Sequence, residues 1–272
     1  HMDGPHDSSK ALGISRDGKV AVGSTVVVDF TRAWRLDIDW ALSTEDDGQP
    51  PLYNELQVQE DVGVVAPSEP SAAYAASDMT CESYTYDKVN LVLDWCGSKP
   101  VGTYNVGQVS YGIEWLLPVL DSVDEGDYLA IPDFGGGISD MTINDVSANG
   151  TILVGTGNTK TGPKAFYADT TVVDEDLVPV AVQLAIQDVV TLQTLRSSSA
   201  QAVSADGTII AGYVSTKTAN RAFVTTVLDA TTDPITLESY ILPMLGGGKF
   251  AEAYAMTTVT DETSGEITAI YV

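Results

Sequence analysis

Carboxylates are the groups in this 272-residue chain numerous enough to suggest chemistry, with 38 Asp and Glu against 13 Lys and Arg and only two His. Both histidines, His1 and His6, fall in residues 1–7, read as a cloning remnant (His1-Met2) and a disordered tail. With no histidine beyond them, Ser-His-Asp and Cys-His nucleophilic relays cannot form, and His-ligated zinc, copper or iron has no ligands. Two-carboxylate chemistry stays open, in which a buried, protonated acid and an ionised one flank a glycosidic bond. Asp140, Asp145, Glu114 and Glu252 are the candidates, expected at strand ends near module junctions. In so acidic a chain some carboxylates meet by chance, so no residue is assigned as catalytic and the balance is against an enzyme.

Two other groupings have chemistry of their own. Asp121-Ser122-Val123-Asp124-Glu125-Gly126-Asp127 gathers four acids, and hard cations take several oxygen ligands from such loops. Asp121, Asp124 and Asp127 are therefore the residues that would hold calcium, the one cofactor considered. The run lacks the alternating ligands and distal Glu of an EF-hand, and a solvated acidic loop is the reading its composition favours. Cys81 and Cys96 are the only cysteines and flank a strand–turn–strand pattern, which would bring them together across neighbouring strands. A disulfide is expected in an oxidising compartment, two buried free thiols otherwise, and zinc is excluded for want of further ligands.

The formal charge of -25 argues against nucleic acid, which needs stripes of Lys and Arg to neutralise phosphates, and against an acidic membrane surface. Membrane insertion is not expected, because apolar runs such as 113–120 are interrupted by Glu114 and Pro118.

The elements that would position any site are set by a repeat. Gly13-Ile14-Ser15-Arg16-Asp17-Gly18-Lys19-Val20-Ala21-Val22-Gly23 aligns without gaps with the segments at 145–155 and 202–212. Each has Ser, then Asp-Gly or Asn-Gly two residues on, then a β-branched run closed by Gly. Asp/Asn-Gly supplies the positive φ of a tight turn, the Ser hydrogen-bonds into it, and the run is the returning strand. Weaker copies are anchored at Ser77, with the Cys-flanked hairpin, and at Thr257, with a looser turn ending at Ser264-Gly265. The spacing of Ser15, Ser77, Ser147, Ser204 and Thr257 suits one antiparallel sheet of three or four strands per copy.

Downstream of the first four hairpins a second element recurs: Arg32-Ala33-Trp34-Arg35, Gly112-Ile113-Glu114-Trp115, Lys164-Ala165-Phe166-Tyr167 and Arg221-Ala222-Phe223-Val224. It reads as a strand whose ring enters the core between sheets, the second copy fitting loosely. A third element, Ile131-Pro132-Asp133-Phe134-Gly135-Gly136-Gly137 and Leu242-Pro243-Met244-Leu245-Gly246-Gly247-Gly248, allows a tight crossing to the next module and lacks the Lys-Ser/Thr of a phosphate loop. Residues 178–195 read as one short helix or two strands.

In that order of elements the sequence resembles the HAF family of extracellular repeats, found in bacterial secreted proteins and autotransporter passengers. It departs from the family in having no His before Ala-aromatic and in a long insertion from about residue 45 to residue 76. The resemblance implies an extracellular, propeller-like all-β protein and carries no catalytic residue.

The expected fold is all-β, a small β-propeller of about five diverged antiparallel blades, with 8–272 as a single domain. The expected function is non-catalytic binding or surface interaction through loops on one face, with a glycan or a surface protein as partner, in a secreted, periplasmic or cell-surface location. A carboxylate-based hydrolase or lyase acting on polysaccharide and a structural passenger or stalk domain are the alternatives.

Overall fold

A computed structural model describes residues 6–27, 30–37, 54–55, 71–78, 80–86, 91–97, 99–106, 109–115, 128–131, 140–173, 179–186, 195, 197–216, 218–229, 236–243, 250–260 and 267–272. All regular structure among them is β. The first sheet joins β1 (His6–Ile14), β2 (Val20–Val27), β3 (Phe30–Asp37) and β4 (Asn54–Glu55). The second begins with β5 (Ser71–Ala76). After a separate ribbon of β6 (Thr80–Tyr86) and β7 (Leu91–Gly97), it continues with β8 (Pro100–Val106), β9 (Val109–Trp115) and β10 (Tyr128–Ile131), in the order β10-β9-β8-β5. The third joins β11 (Met141–Val146), β12 (Ile152–Thr159), β13 (Gly162–Val173) and β14 (Pro179–Gln183). The fourth joins β15 (Ser197–Val203), β16 (Ile209–Ser215), β17 (Asn220–Asp229) and β18 (Thr236–Ile241), and β19 (Thr257–Thr260) with β20 (Ile267–Tyr271) forms a last two-stranded sheet. The strand pairings whose register is described are all antiparallel, and each four-stranded sheet is blade-like in size and order. The chain divides into two compact units, His1–Gly107 with Ile113–Leu129, and Gln108–Gly112 with Ala130–Val272. β1 starts at His6, so the final two residues of the expected tail belong to a strand.

The serine corners take the form that their chemistry predicts. Ser204 Oγ donates to Asp206 Oδ1 at 2.5 Å and accepts from Ile209 N at 2.9 Å, while its own N–H donates to Ile209 O at 2.8 Å. Ser15 does the same with Asp17 and Val20, and Ser147 with Asn149 and Ile152. Gly18, Gly150 and Gly207 follow with φ of 73°, 74° and 78°, a region costly for any residue with a Cβ. Ser15, Ser147 and Ser204 are buried, and one hydroxyl closes the turn and starts the returning strand.

A bulge follows each corner in space. In the first four sheets the pairing of the first two strands slips by one residue, leaving Leu12, Tyr74, Asn144 and Gln201 as the extra residues. Opposite each slip stands the glycine that closes the β-branched run: Gly23, Gly102, Gly155 or Gly212. A Cβ on any of them would lie 1.9–2.0 Å from a carbonyl oxygen of the first strand, so the close approach of the bulged backbone requires glycine.

Within each unit successive sheets are joined by one recurrent contact. Ala33 N donates to Ser71 Oγ and Ala165 N to Ser198 Oγ, both at 2.9 Å, linking the third strand of one sheet to the first strand of the next. Single parallel bridges, Ser110 with Asp140 and Asn220 with Phe250, continue the pattern. The rings of the second recurring element, Trp34, Phe166 and Phe223, are buried. Phe223 packs in one cluster with Ile152, Val154, Tyr167, Val203 and Ile210, drawn from the third and fourth sheets. The preceding basic residue ties down the connection, for Lys164 Nζ donates to Leu195 O at 2.9 Å although burial lowers its pKa. In the second sheet Ile113, fully buried, takes the ring's place, because the bridge at Ser110 sets Ile113 rather than Trp115 in register with Phe223.

Three expectations change. The Cys-flanked hairpin is not a pair of blade strands, because β5 pairs with β8 and the ribbon β6–β7 is inserted between them. Thr257 is no corner: it is exposed inside β19, opposite Tyr271, so the chain runs straight where the other copies turn. Across 178–195 the described residues carry one strand, β14, followed by the buried Leu184 and Ile186 in irregular backbone. Most of both glycine-rich crossings lies outside the described residues.

Candidate functional site

The four candidate carboxylates are held in four different settings. Asp145 Oδ2 accepts from Val203 N at 2.8 Å, fastening the first strand of the third sheet to that of the fourth. Asp140 accepts a hydrogen bond from the Asn158 side chain. Glu252 Oε1 accepts from Asn220 Nδ2 at 2.5 Å and Oε2 accepts from the Tyr254 hydroxyl, and these two bonds lower its pKa. Glu114 is fully buried on β9, and burial raises its pKa against the opposing pull of Lys99, whose Nζ stands 3.4 Å from Oε1. The acid and base of a glycosidase must share one cleft. Here Glu114 has the raised pKa of a general acid, but the carboxylate's close charged neighbour is a lysine.

Among the described residues no cluster of three or more His, Cys, Asp or Glu side chains could hold a metal ion. Asp121, Asp124 and Asp127 lie outside those residues. The side chains of Cys81 and Cys96 also lie outside them, but the backbone register makes the two residues direct partners across β6 and β7. Direct antiparallel partners have Cα atoms about 4.5 or 5.5 Å apart, inside the range a disulfide spans.

The ribbon itself is the feature that departs most from the repeat. Ser77 still makes the corner's bonds, its N–H donating to Lys99 O at 3.1 Å and its Oγ accepting from Lys99 N at 2.9 Å. Where the other corners place four residues between the serine and the residue that bonds back to it, this one places 78–98 between Ser77 and Lys99. In the ribbon's register Glu82 is opposite Trp95, Tyr84 opposite Leu93 and Tyr86 opposite Leu91. Among the described residues no other strand pairs with the ribbon.

The sequence carried two signals of this insertion. Asp78 is not followed by Gly, so no tight turn could form there, and Lys99-Pro100-Val101-Gly102 resumes the run that elsewhere ends in Val-Gly or Ala-Gly. The Lys99–Glu114 pair had no such signal.

No family model matches the chain, and no curated protein matches it. The resemblance to HAF repeats therefore rests on the motif residues alone. Among solved structures, TolB from Acinetobacter baumannii aligns at 13% identity and a TM-score of 0.44, over 80% of this chain and 41% of that one. The aligned region is less than half of the TolB chain.

Proposed function

We propose that the protein is a non-catalytic binding or interaction protein of the cell exterior or envelope, built as a propeller-type repeat and reading its partner with the β6–β7 ribbon. One observation carries this. Ser77 and Lys99 preserve the corner bonds of the repeat while the turn between them is opened into a paired, register-defined ribbon. Such an insertion adds nothing to the sheet it leaves, and loops on a rigid scaffold are where recognition is built. A two-stranded ribbon is marginally stable alone, which gives a Cys81–Cys96 disulfide at its base a physical purpose and fits the oxidising location implied by the HAF resemblance. The proposed partner is a surface protein or a glycan; calcium held by Asp121, Asp124 and Asp127 belongs to this reading as an accessory.

The test is a graft. Replacing residues 78–98 by Ala-Asp-Gly-Thr, the sequence of the fourth-sheet corner at 205–208, restores the four-residue spacing from Ser77 to Lys99. The graft should keep the far-ultraviolet circular dichroism and melting temperature of the parent and lose capture on glycan and surface-protein arrays, screened with and without calcium. Undiminished capture by the graft removes the ribbon from the reading. Polysaccharide hydrolysis by the parent replaces the reading with a carboxylate-based enzyme.

A further inference from the structure

Beyond the ribbon, a second surface has chemistry that selects a ligand. Along 250–256, Ala253 is buried, in a cluster with Ile209, Ala211, Ala222 and Val224, while Phe250 and Tyr254 are 71% and 65% exposed. Glu252 lies between Phe250 and Tyr254 in the chain and is bonded to the Tyr254 hydroxyl. Tyr213 of β16 meets Tyr254 with ring centroids 6.3 Å apart and planes tilted by 53°. Beside Tyr254, Glu252 is held through both carboxylate oxygens, Asn220 donating to Oε1 at 2.5 Å and the Tyr254 hydroxyl to Oε2.

The donors around the carboxylate are therefore spent on holding it. What the patch offers a visitor is the π faces of aromatic rings and the remaining lone pairs of a carboxylate. Sugar hydroxyls need donors as well as acceptors, whereas a guanidinium brings only donors, stacks on rings and is charged. The formal charge of -25 concentrates cations near the whole surface, and this is a place with the geometry to retain one.

We propose that the Tyr213–Glu252–Tyr254 patch binds the guanidinium of an arginine side chain presented by a partner polypeptide. Cation–π attraction and the ion pair act on the same group, and each contributes modestly at an exposed site. A matched control exists on β18, where the Tyr240 hydroxyl donates to the Glu238 carboxylate without the Asn220 clamp.

The experiment titrates the whole chain with acetyl-Gly-Arg-Gly-amide and with its uncharged citrulline counterpart at physiological ionic strength, following tyrosine ring resonances by nuclear magnetic resonance. The arginine peptide should shift the Tyr213 and Tyr254 signals and the citrulline peptide should not. Glu252→Gln and Tyr254→Ala should each weaken binding by about threefold to fivefold. Glu238→Gln should leave it unchanged, and Tyr254→Phe, which keeps the ring, should fall between. Circular dichroism of each variant checks that the fold persists. Equal losses in Glu238→Gln and Glu252→Gln, equal binding of both peptides, no shift at all, or shifts produced by a neutral oligosaccharide in place of the arginine peptide would each overturn the assignment.

Discussion

Single residues here gain meaning from what they are bonded to rather than from their type. Ser204 lies in a buried corner where its hydroxyl both donates and accepts, and Asp206 is held ionised by that hydroxyl and by Thr208 despite partial burial. Glu114 is the opposite case, a carboxylate whose burial outweighs its lysine neighbour. In the unfolded chain Glu114 titrates near its ordinary 4.5, and in the native state at a higher value. Between those two values the folded protein keeps a proton that the unfolded chain has released, so stability falls as pH rises through that window. The penalty is fully present above the folded value and absent below the unfolded one. Glu114→Gln removes it, and Lys99, whose side chain is 35% exposed, can then be hydrated instead of orphaned. The melting temperature of Glu114→Gln relative to the parent should therefore become more favourable from acid to neutral pH. Thermal melts of both proteins across that range check it, and a difference that is flat or grows toward acid would refute the assignment.

At the scale of elements, the four-stranded sheets depend on a bulge that no residue type announces. The extra residues Leu12, Tyr74, Asn144 and Gln201 have nothing chemical in common, so only the glycine opposite them betrays the slip. At Gly155 an added Cβ would stand 1.9 Å from Thr142 O and 2.8 Å from the Phe166 ring. Both neighbours are fixed, one by the sheet and the other by the core, so Gly155→Ala should destabilise by about 3 kcal/mol, at the upper end of overpacking costs. Urea unfolding of the variant, with its midpoint lowered and its slope unchanged, is the check; a cost below about 1 kcal/mol would mean that the bulge relaxes. The same comparison shows what was legible beforehand. The corners at Ser15, Ser147 and Ser204 were readable because serine, turn residue and glycine act within six positions of chain. The contacts Ala33 to Ser71 and Ala165 to Ser198 were not, because their partners are brought together only after two sheets have formed. In the fifth copy the expected returning strand is present as β20, paired antiparallel with β19, but Thr257, with no Asp-Gly behind it, sits in β19 opposite Tyr271 instead of anchoring a corner. Of the candidate carboxylates, the sequence could nominate residues and could not see that Asp145 is spent on Val203 or Glu252 on Asn220 and Tyr254.

Over the whole molecule the governing quantity is charge. A formal -25 on 272 residues means that folding compresses like charges, and the unfolded chain relieves some of that repulsion by expanding. Added salt shortens the reach of the repulsion to about 10 Å at 0.1 M, so it should stabilise the folded state even though it weakens solvent-exposed ion pairs. The melting temperature should rise steadily as sodium chloride is increased from about 0.02 M to about 0.5 M at neutral pH. The sequence pI is about 4.1, and near that pH the net charge and its repulsion vanish. Repeating the series there separates screening from any general effect of salt on apolar burial, which acts at both pH values alike. A salt increment of the same size at neutral pH and near the pI would show that self-repulsion is not what limits stability. A large increment at neutral pH that disappears near the pI would tie the cost of the acidic surface to the folded state itself, the same surface that concentrates cations at the Tyr213–Glu252–Tyr254 patch.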